Sequence, residues 1–379
     1  MAAFVRLTGM KIAVIGMGGS GSAAARFLAK AGHEVAGYER FELGHAMGSS
    51  HGHSRLIRYS YPDAFHTRLM ARAYPLWADL EQEHGTELFV RSGGITFGPA
   101  GDPKLELTRS ALEEAAIDHE ILSRDETRSR FPAIDIGEGA SAVFQATSGF
   151  LRASRCVLAQ AEIARSHGAE IRENSPALEI EEKAGHVFVS TAGETIGYDA
   201  VVVTAGPWIG KLLGSFQLPL RTALRQVVYL GIQANPEHFE PGNLPVWIDH
   251  PSDHYGFSTD GVMPGIKVAS HDAGLDFDAD EADRPMMPGP LEQVIAHAMK
   301  HFPDLSGEVL SSQSCLYTIT PDERFIVDFA PGSRRVVMVS GCSGHGFKFT
   351  TLLGNVAAEM ATTGERDPSL APWRADRFK

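Results

Sequence analysis

Near the start of the chain four apolar residues, Ile12-Ala13-Val14-Ile15, run directly into Gly16-Met17-Gly18-Gly19-Ser20-Gly21. A short unbroken apolar run bounded by glycine is the pattern of a strand buried on both faces. The next apolar positions, Ala24, Phe27, Leu28 and Ala31, recur at intervals of three and four, which predicts a helix with one buried face. Gly32 is placed to end that helix, and Glu34-Val35-Ala36-Gly37-Tyr38-Glu39 reads as a second strand. The buried-run pattern returns at Tyr198 to Gly206. It returns again at Arg335 to Gly341, where a long helix follows with Leu353, Val356, Ala357 and Met360 on one face. Together these pieces predict a parallel sheet covered on both sides.

Between them the pattern changes. Phe89 to Gly98 is strand-like but interrupted by Gly93-Gly94. Leu224 to Leu230, Val246 to Asp249 and Ile266 to Ala269 are short apolar runs separated by Gly, Pro, Asp and Asn. This predicts a second, more antiparallel sheet inserted into the first domain in two passes. The expected division assigns residues 1–84, 148–218 and 324–379 to the first domain, and 85–147 and 219–323 to the second.

The glycine segment carries chemistry as well as shape. In a Gly-x-Gly-x-x-Gly turn between strand and helix, Gly16 permits the turn and Gly18 lets a pyrophosphate approach the backbone. Gly21 lets the helix pack close to the strand. The free amides of the helix start and its dipole then face phosphate. Glu39, about 20 residues on, stands where an acid can hold ribose hydroxyls. The order predicts an adenine-dinucleotide site.

Composition narrows the surroundings. With 379 residues, 43 % hydrophobic and 21 % charged, the chain has the make-up of a globular protein with a substantial core. Its net charge of −13 argues against a general nucleic-acid or anionic-membrane surface. No apolar run is long enough to cross a bilayer, and Met1 to Met10 reads as a short irregular extension without a secretory core; the cytoplasm is the expected location. Cys156, Cys315 and Cys342 form neither a disulfide framework nor a Cys-x-x-Cys site. Among the sixteen histidines, His51 and His53 included, no helix-spaced pair with a nearby carboxylate reads as a zinc site, so no metal is expected.

Four further segments become informative together. They are Gly48-Ser49-Ser50-His51-Gly52-His53-Ser54-Arg55-Leu56-Ile57-Arg58; Tyr255-Gly256-Phe257 with Gly265-Ile266-Lys267 and His271; Cys315-Leu316-Tyr317-Thr318; and Ser343-Gly344-His345-Gly346-Phe347-Lys348-Phe349. In this order and spacing the chain resembles the monomeric sarcosine oxidase and N-methyl-tryptophan oxidase family of flavin amine oxidases. The resemblance covers almost the whole chain and implies an α/β fold. In that fold a Rossmann-like FAD-binding domain is interleaved with a substrate domain on a largely antiparallel sheet.

It also implies roles. FAD would be held by Gly16, Gly18, Gly21, Glu39, Ser54, Ser343, Gly346 and Phe347, and tethered covalently through Cys315. Arg58 and Lys348 would grip the carboxylate of an amino-acid substrate, with Tyr255 and Gly344 beside it. Arg55 and Lys267 would lie against the flavin, Lys267 promoting reaction with oxygen. His271 and Tyr317 would shape and polarise the substrate cavity. The start of the C-terminal helix, near Gly346 and Lys348, would face the flavin ring. The sequence departs from the family where His53 replaces the usual aspartate and Ser54 the common threonine. The resemblance implies a monomeric oxidase of secondary amino acids. Oxidation of cyclic imino acids such as pipecolate, or a dehydrogenase with another electron acceptor, remains as an alternative.

Overall fold

A computed structural model describes residues 9–272 and 274–378. Most of the expected N-terminal extension, residues 1–8, lies outside the described residues. The apolar strand Lys11–Ile15 sits near the middle of a six-stranded sheet. Its neighbours are Glu34–Tyr38 and then Glu170–Arg172 on one side, and Ala200–Val203, Val336–Ser340 and Ile326–Phe329 on the other. All pairings are parallel except the last, between Val336–Ser340 and Ile326–Phe329. Alternate side chains explain why these strands are apolar throughout. Ile12 and Val14 pack with the helices Gly19–Lys30, Ala153–Ser166 and Thr350–Thr363. Ala13 and Ile15 pack against Val187 and Val189 of an antiparallel three-stranded sheet, Glu179–Lys183, His186–Ser190 and Thr195–Tyr198. The expected double cover is present, with helices on one face and this small sheet on the other. The run read as one strand from Tyr198 is divided: Tyr198 closes the small sheet, and the central strand begins at Ala200.

The second sheet has nine strands and is antiparallel except where Val246–Asp249 runs parallel to Gly94–Pro99. Its strands come from 94–145 and from 221–319. The helix Pro288–His301, with Phe302 just beyond its end, covers one face, placing Val294, Ala298 and Phe302 against Trp247, Ile266 and Val268. A fourth, small sheet of Arg55–Ile57, Gly149–Leu151 and Phe89–Val90 lies outside the other three. The run expected from Phe89 to Gly98 is therefore split between two sheets, with Gly93 at φ +74° turning the chain. Among the described residues no helix is long and apolar enough to cross a membrane.

Candidate active site

A cavity of about 750 Å³ reaches from the glycine turn of the first sheet to the uncovered face of the second. At the first end it is lined by Gly16, Met17, Gly18, Gly19 and Glu39. The three motif glycines are there for different reasons. Gly16 has φ +87°, and a Cβ there would meet the Thr204 carbonyl oxygen at 2.7 Å. A Cβ on Gly21 would run into the Gly16 carbonyl and the Thr204 hydroxyl, so Gly21 is required by packing and stands behind the cavity wall. At Gly18 the nearest atom to an added Cβ is Ser50 Oγ at 3.4 Å, an ordinary contact. The fold itself does not demand glycine there; the bare backbone faces the cavity. No side chain caps the helix Gly19–Lys30 at its start. Glu39 Oε2 accepts from the Met17 amide at 2.8 Å, and Oε1 accepts from the Phe41 amide at 3.1 Å, which fixes the carboxylate at the lip of the turn. These groups fit a dinucleotide: amides and an open glycine for pyrophosphate, and an acid for ribose.

At the other end side chains converge from separate segments. Strand alternation aims them: Ile266 and Val268 enter the core under the helix Pro288–His301, while Lys267 between them lines the cavity. Cys315 and Tyr317 likewise line it, with Leu316 turned away. Tyr255 and Tyr317 meet hydroxyl to hydroxyl at 3.4 Å, and the Tyr317 ring lies 4.8 Å from the Arg225 guanidinium and 5.6 Å from the His271 ring. Gly344, at φ +81°, lets the Tyr317 ring lie against its backbone where a Cβ would collide. Burial, with Arg225 next, pushes His271 down to about 4, so its imidazole is neutral at ordinary pH.

Arg58 and Lys348 set the electrostatics of this end. Lys348 is buried, only 4 % exposed, and Arg58 is partly buried; both lie over the Tyr61 ring, Lys348 at 5.2 Å and Arg58 at 4.4 Å. Lys348 Nζ donates to the Tyr61 hydroxyl at 2.8 Å and to the His345 carbonyl at 2.7 Å. Arg58 has one long bond to Ser60 Oγ, 3.4 Å, and its Nε is buried without a partner. Among the described residues neither pairs with a carboxylate. Buried Arg26, by contrast, is gripped by Glu83, its Nε at 2.9 Å. Burial, and then the Arg58 charge, pulls Lys348 well below the usual lysine range. Two cationic side chains that face one cavity with no carboxylate partner among the described residues can receive an anion.

Lys267 lies deeper, 3 % exposed, with Nζ donating to the Ser54 carbonyl at 2.8 Å. Burial and the nearby Arg55 lower its proton affinity. Arg55 lines the cavity and is held by the carbonyls of Ser54 and Ser49, each at 3.0 Å. Ser54 itself stands outside the lining and positions Lys267 from behind. Ser343, Gly346 and Phe347 do line the cavity. The Ser343 hydroxyl, however, serves the fold: it donates to the Gly341 carbonyl at 3.0 Å and accepts from the Thr320 amide at 3.3 Å. The C-terminal helix begins later than expected: Phe347–Phe349 forms a 3-10 turn, and the α-helix runs Thr350–Thr363. His53 does not line the cavity.

Sequence reasoning did not single out Tyr61 or His250, and it quoted His345 without a role. Tyr61 Oη lies 3.1 Å from His345 Nδ1, and His345 Nε2–H donates to the Glu323 carbonyl at 3.1 Å, so Lys348, Tyr61 and His345 form one hydrogen-bonded chain. Tyr61 stands three residues after Arg58 in a segment that is neither helix nor strand, so that spacing carries no signal. The reading of the histidines needs a correction. His297 and His301 are one turn apart on the helix Pro288–His301, and the fold brings Asp249 to them from a distant strand.

A family profile described as DAO, FAD dependent oxidoreductase, matches residues 11–360. Monomeric sarcosine oxidase of Streptomyces avermitilis is 34 % identical over 93 % of this chain and 94 % of its own. N-methyl-L-tryptophan oxidase of Shigella dysenteriae is 30 % identical over 97 % of this chain and 98 % of its own. Among solved structures, NikD, an unusual amino acid oxidase essential for nikkomycin biosynthesis, superposes with a TM-score of 0.85 at 21 % identity, covering 97 % of each chain, which is a likeness of fold.

Proposed function

Because the chain belongs to the family of FAD-dependent oxidoreductases, we propose that it is an oxidase of secondary, N-methyl or N-alkyl, amino acids. The observation that carries this reading is the pair of cations Arg58 and Lys348, which have no carboxylate partner among the described residues. They share one cavity with the open glycine turn and Cys315. Bound FAD would take a hydride equivalent from the carbon beside the substrate nitrogen and pass the electrons to oxygen, giving hydrogen peroxide. The substrate leaves as an imine that water splits to an aldehyde and the primary amino acid.

The residues divide the work. Arg58 grips the substrate carboxylate and Lys348 adds a point charge, fixing the amine at one place over the reacting face. The same two charges repel the substrate ammonium and ease loss of its proton before oxidation. Tyr255, Tyr317 and neutral His271 enclose the alkyl group and exclude water. Gly16, Gly18, the first helical turn and Glu39 would hold the dinucleotide, and Cys315 would be its covalent tether. Lys267, held by the Ser54 carbonyl and flanked by Arg55, stabilises negative charge developing on oxygen. The enzyme works as a cytoplasmic monomer.

The test is peroxide formation across sarcosine, N-methyl-tryptophan, pipecolate and larger N-alkyl amino acids. Turnover of the open-chain acids with matching oxygen uptake supports the reading; electron transfer only to a dye, with no peroxide, overturns it. Flavin that stays with acid-precipitated protein, and is released in Cys315→Ala, supports the tether; release from the wild type rejects it.

A further inference from the structure

On the far side of the substrate sheet lies a second constellation. In the strand Val246–Asp249 alternate residues face opposite ways. Ile248, and His250 beyond it, line the cavity; Trp247 packs under the helix Pro288–His301, and Asp249 meets the imidazoles of His297 and His301. One potential ligand atom from each of these three side chains lies within 4.8 Å of the other two. All three groups are buried or nearly so, His301 being 3 % exposed.

The partners of these groups are arranged for a ligand that the protein itself does not supply. His301 Nδ1 donates to the Asp135 carbonyl at 2.7 Å, which leaves Nε2 as the ring's lone-pair nitrogen, and that atom is buried without a partner. This is the outer-shell contact that orients a metal-binding histidine. His297 Nε2 is also buried and unpartnered; it stands 3.5 Å from Asp249 Oδ2 without forming a hydrogen bond. Two ligands about 2.0–2.1 Å from a tetrahedral ion are separated by about 3.3 Å. The pair is therefore spaced as neighbouring ligands rather than as donor and acceptor. Ser252 Oγ donates to Asp249 Oδ2 at 2.5 Å and orients the carboxylate. The His254 ring stacks on His297 at 4.0 Å and fixes its plane.

We propose that Asp249, His297 and His301 bind a divalent transition-metal ion, with a fourth position left for water. Two imidazoles and one carboxylate suit zinc and its neighbours better than calcium or magnesium, which prefer all-oxygen cages. The ion would clip the helix Pro288–His301 to the strand whose other face forms the substrate wall. This site is separate from the flavin chemistry and does not depend on the function proposed above.

The test uses purified, flavin-loaded protein, stripped with a chelator and dialysed against zinc, with metal counted by mass spectrometry. The expected result is one zinc per chain in the wild type and a rise in melting temperature of about 3 °C at a hundredfold excess over Kd. His297→Ala and Asp249→Asn should bind more than about a hundredfold more weakly with flavin content unchanged, since even outer-shell losses cost ten- to a hundredfold. No zinc retained by the wild type, or equal retention by both variants, overturns the proposal. The X-ray absorption spectrum of zinc-loaded wild type decides the matter independently of whether the variants fold. A shell of nitrogen and oxygen with two imidazoles supports the site; a sulfur shell near 2.3 Å places the zinc on cysteine and rejects it.

Discussion

The two ends of the large cavity hold polar groups in opposite ways. At the glycine end the polar groups are mostly backbone, and the one acid, Glu39, is already held by the Met17 and Phe41 amides. At the far end the buried side chains of Lys348 and Lys267 and the partly buried Arg58 pair, among the described residues, with no carboxylate. The first end is complete as folded and offers surface to a ligand. The second keeps its charges desolvated, at a cost to stability, until something anionic arrives. A fold tolerates such an arrangement where the missing charge belongs to a substrate. The contrast predicts that damage at the glycine end changes what is bound, and damage at the cationic end changes what reacts.

The largest effect should come from Lys267, where one cation faces the oxygen reaction. Lys267→Met keeps the apolar stem and removes the charge. Reoxidation of the reduced enzyme by oxygen should slow by roughly 100-fold or more, the scale of losing one preorganised electrostatic contact. Anaerobic reduction by substrate should change far less, because Arg58 and Lys348 still hold the carboxylate. Stopped-flow traces of the two half-reactions separate these outcomes. Slowed reduction with normal oxygen reactivity would move Lys267 into substrate binding.

Next in size is the carboxylate grip. Arg58→Ala or Lys348→Met should lower kcat/KM for an amino acid by about 30-fold, the equivalent of about 2 kcal/mol for a charge-assisted contact in a dry site. Flavin content should stay at the wild-type level. Converting the substrate to its methyl ester should remove most of the wild-type advantage while affecting the variants little. Equal turnover of acid and ester by the wild type would break the contrast between the two ends.

A smaller effect sharpens the glycine end itself. In a Cys315→Ala background, where retention depends on affinity alone, Gly18→Val should weaken FAD binding by about tenfold, or about 1.4 kcal/mol, with circular dichroism unchanged. Gly21→Val should instead lose folded protein, because its Cβ meets the Gly16 carbonyl and Thr204. Flavin titration and thermal melting distinguish the two. If Gly18→Val unfolds the chain, Gly18 serves packing and not the pyrophosphate.

The same difference explains what could be read from the sequence. The glycine end is one contiguous strand, turn and helix, and its apolar spacing and glycine positions define it locally. The far end is assembled from residues near 58, 255, 267, 317 and 348, so its membership rested on the resemblance of short motifs. Tyr61, which bridges Arg58 and Lys348, carries no local mark of that role. The strand Leu305–Ile319 is not legible as a strand in the sequence because Ser306 to Ser314 is mostly polar and partly exposed, without the alternation of a half-buried strand. The small sheet Glu179–Tyr198 was hidden in the same way by Glu181, Glu182 and Lys183. His297 and His301 were spaced legibly on one helix face. Their carboxylate comes from another strand, and only the folded sheet brings it there.

The smallest effect concerns protons. In the free protein, burial and the Arg58 charge hold Lys348 well below the usual lysine range. A bound carboxylate adds an attractive charge and must raise it. Between the free and bound values, binding therefore takes up a proton. In that window affinity for a simple carboxylate such as acetate should fall as pH rises, by at most about tenfold per pH unit for one coupled proton. Calorimetry in buffers of different ionisation enthalpy should register uptake approaching one proton per site. Lys348→Met should abolish the uptake while leaving weaker binding through Arg58. An anion bound at the glycine end, where backbone amides make the contacts, should show no such uptake. Uptake that survives in Lys348→Met would place the proton on another group, and absence of uptake across the accessible pH range would mean that Lys348 is already charged in the free protein. The cationic end would then be held open by charge repulsion alone rather than by a withheld proton.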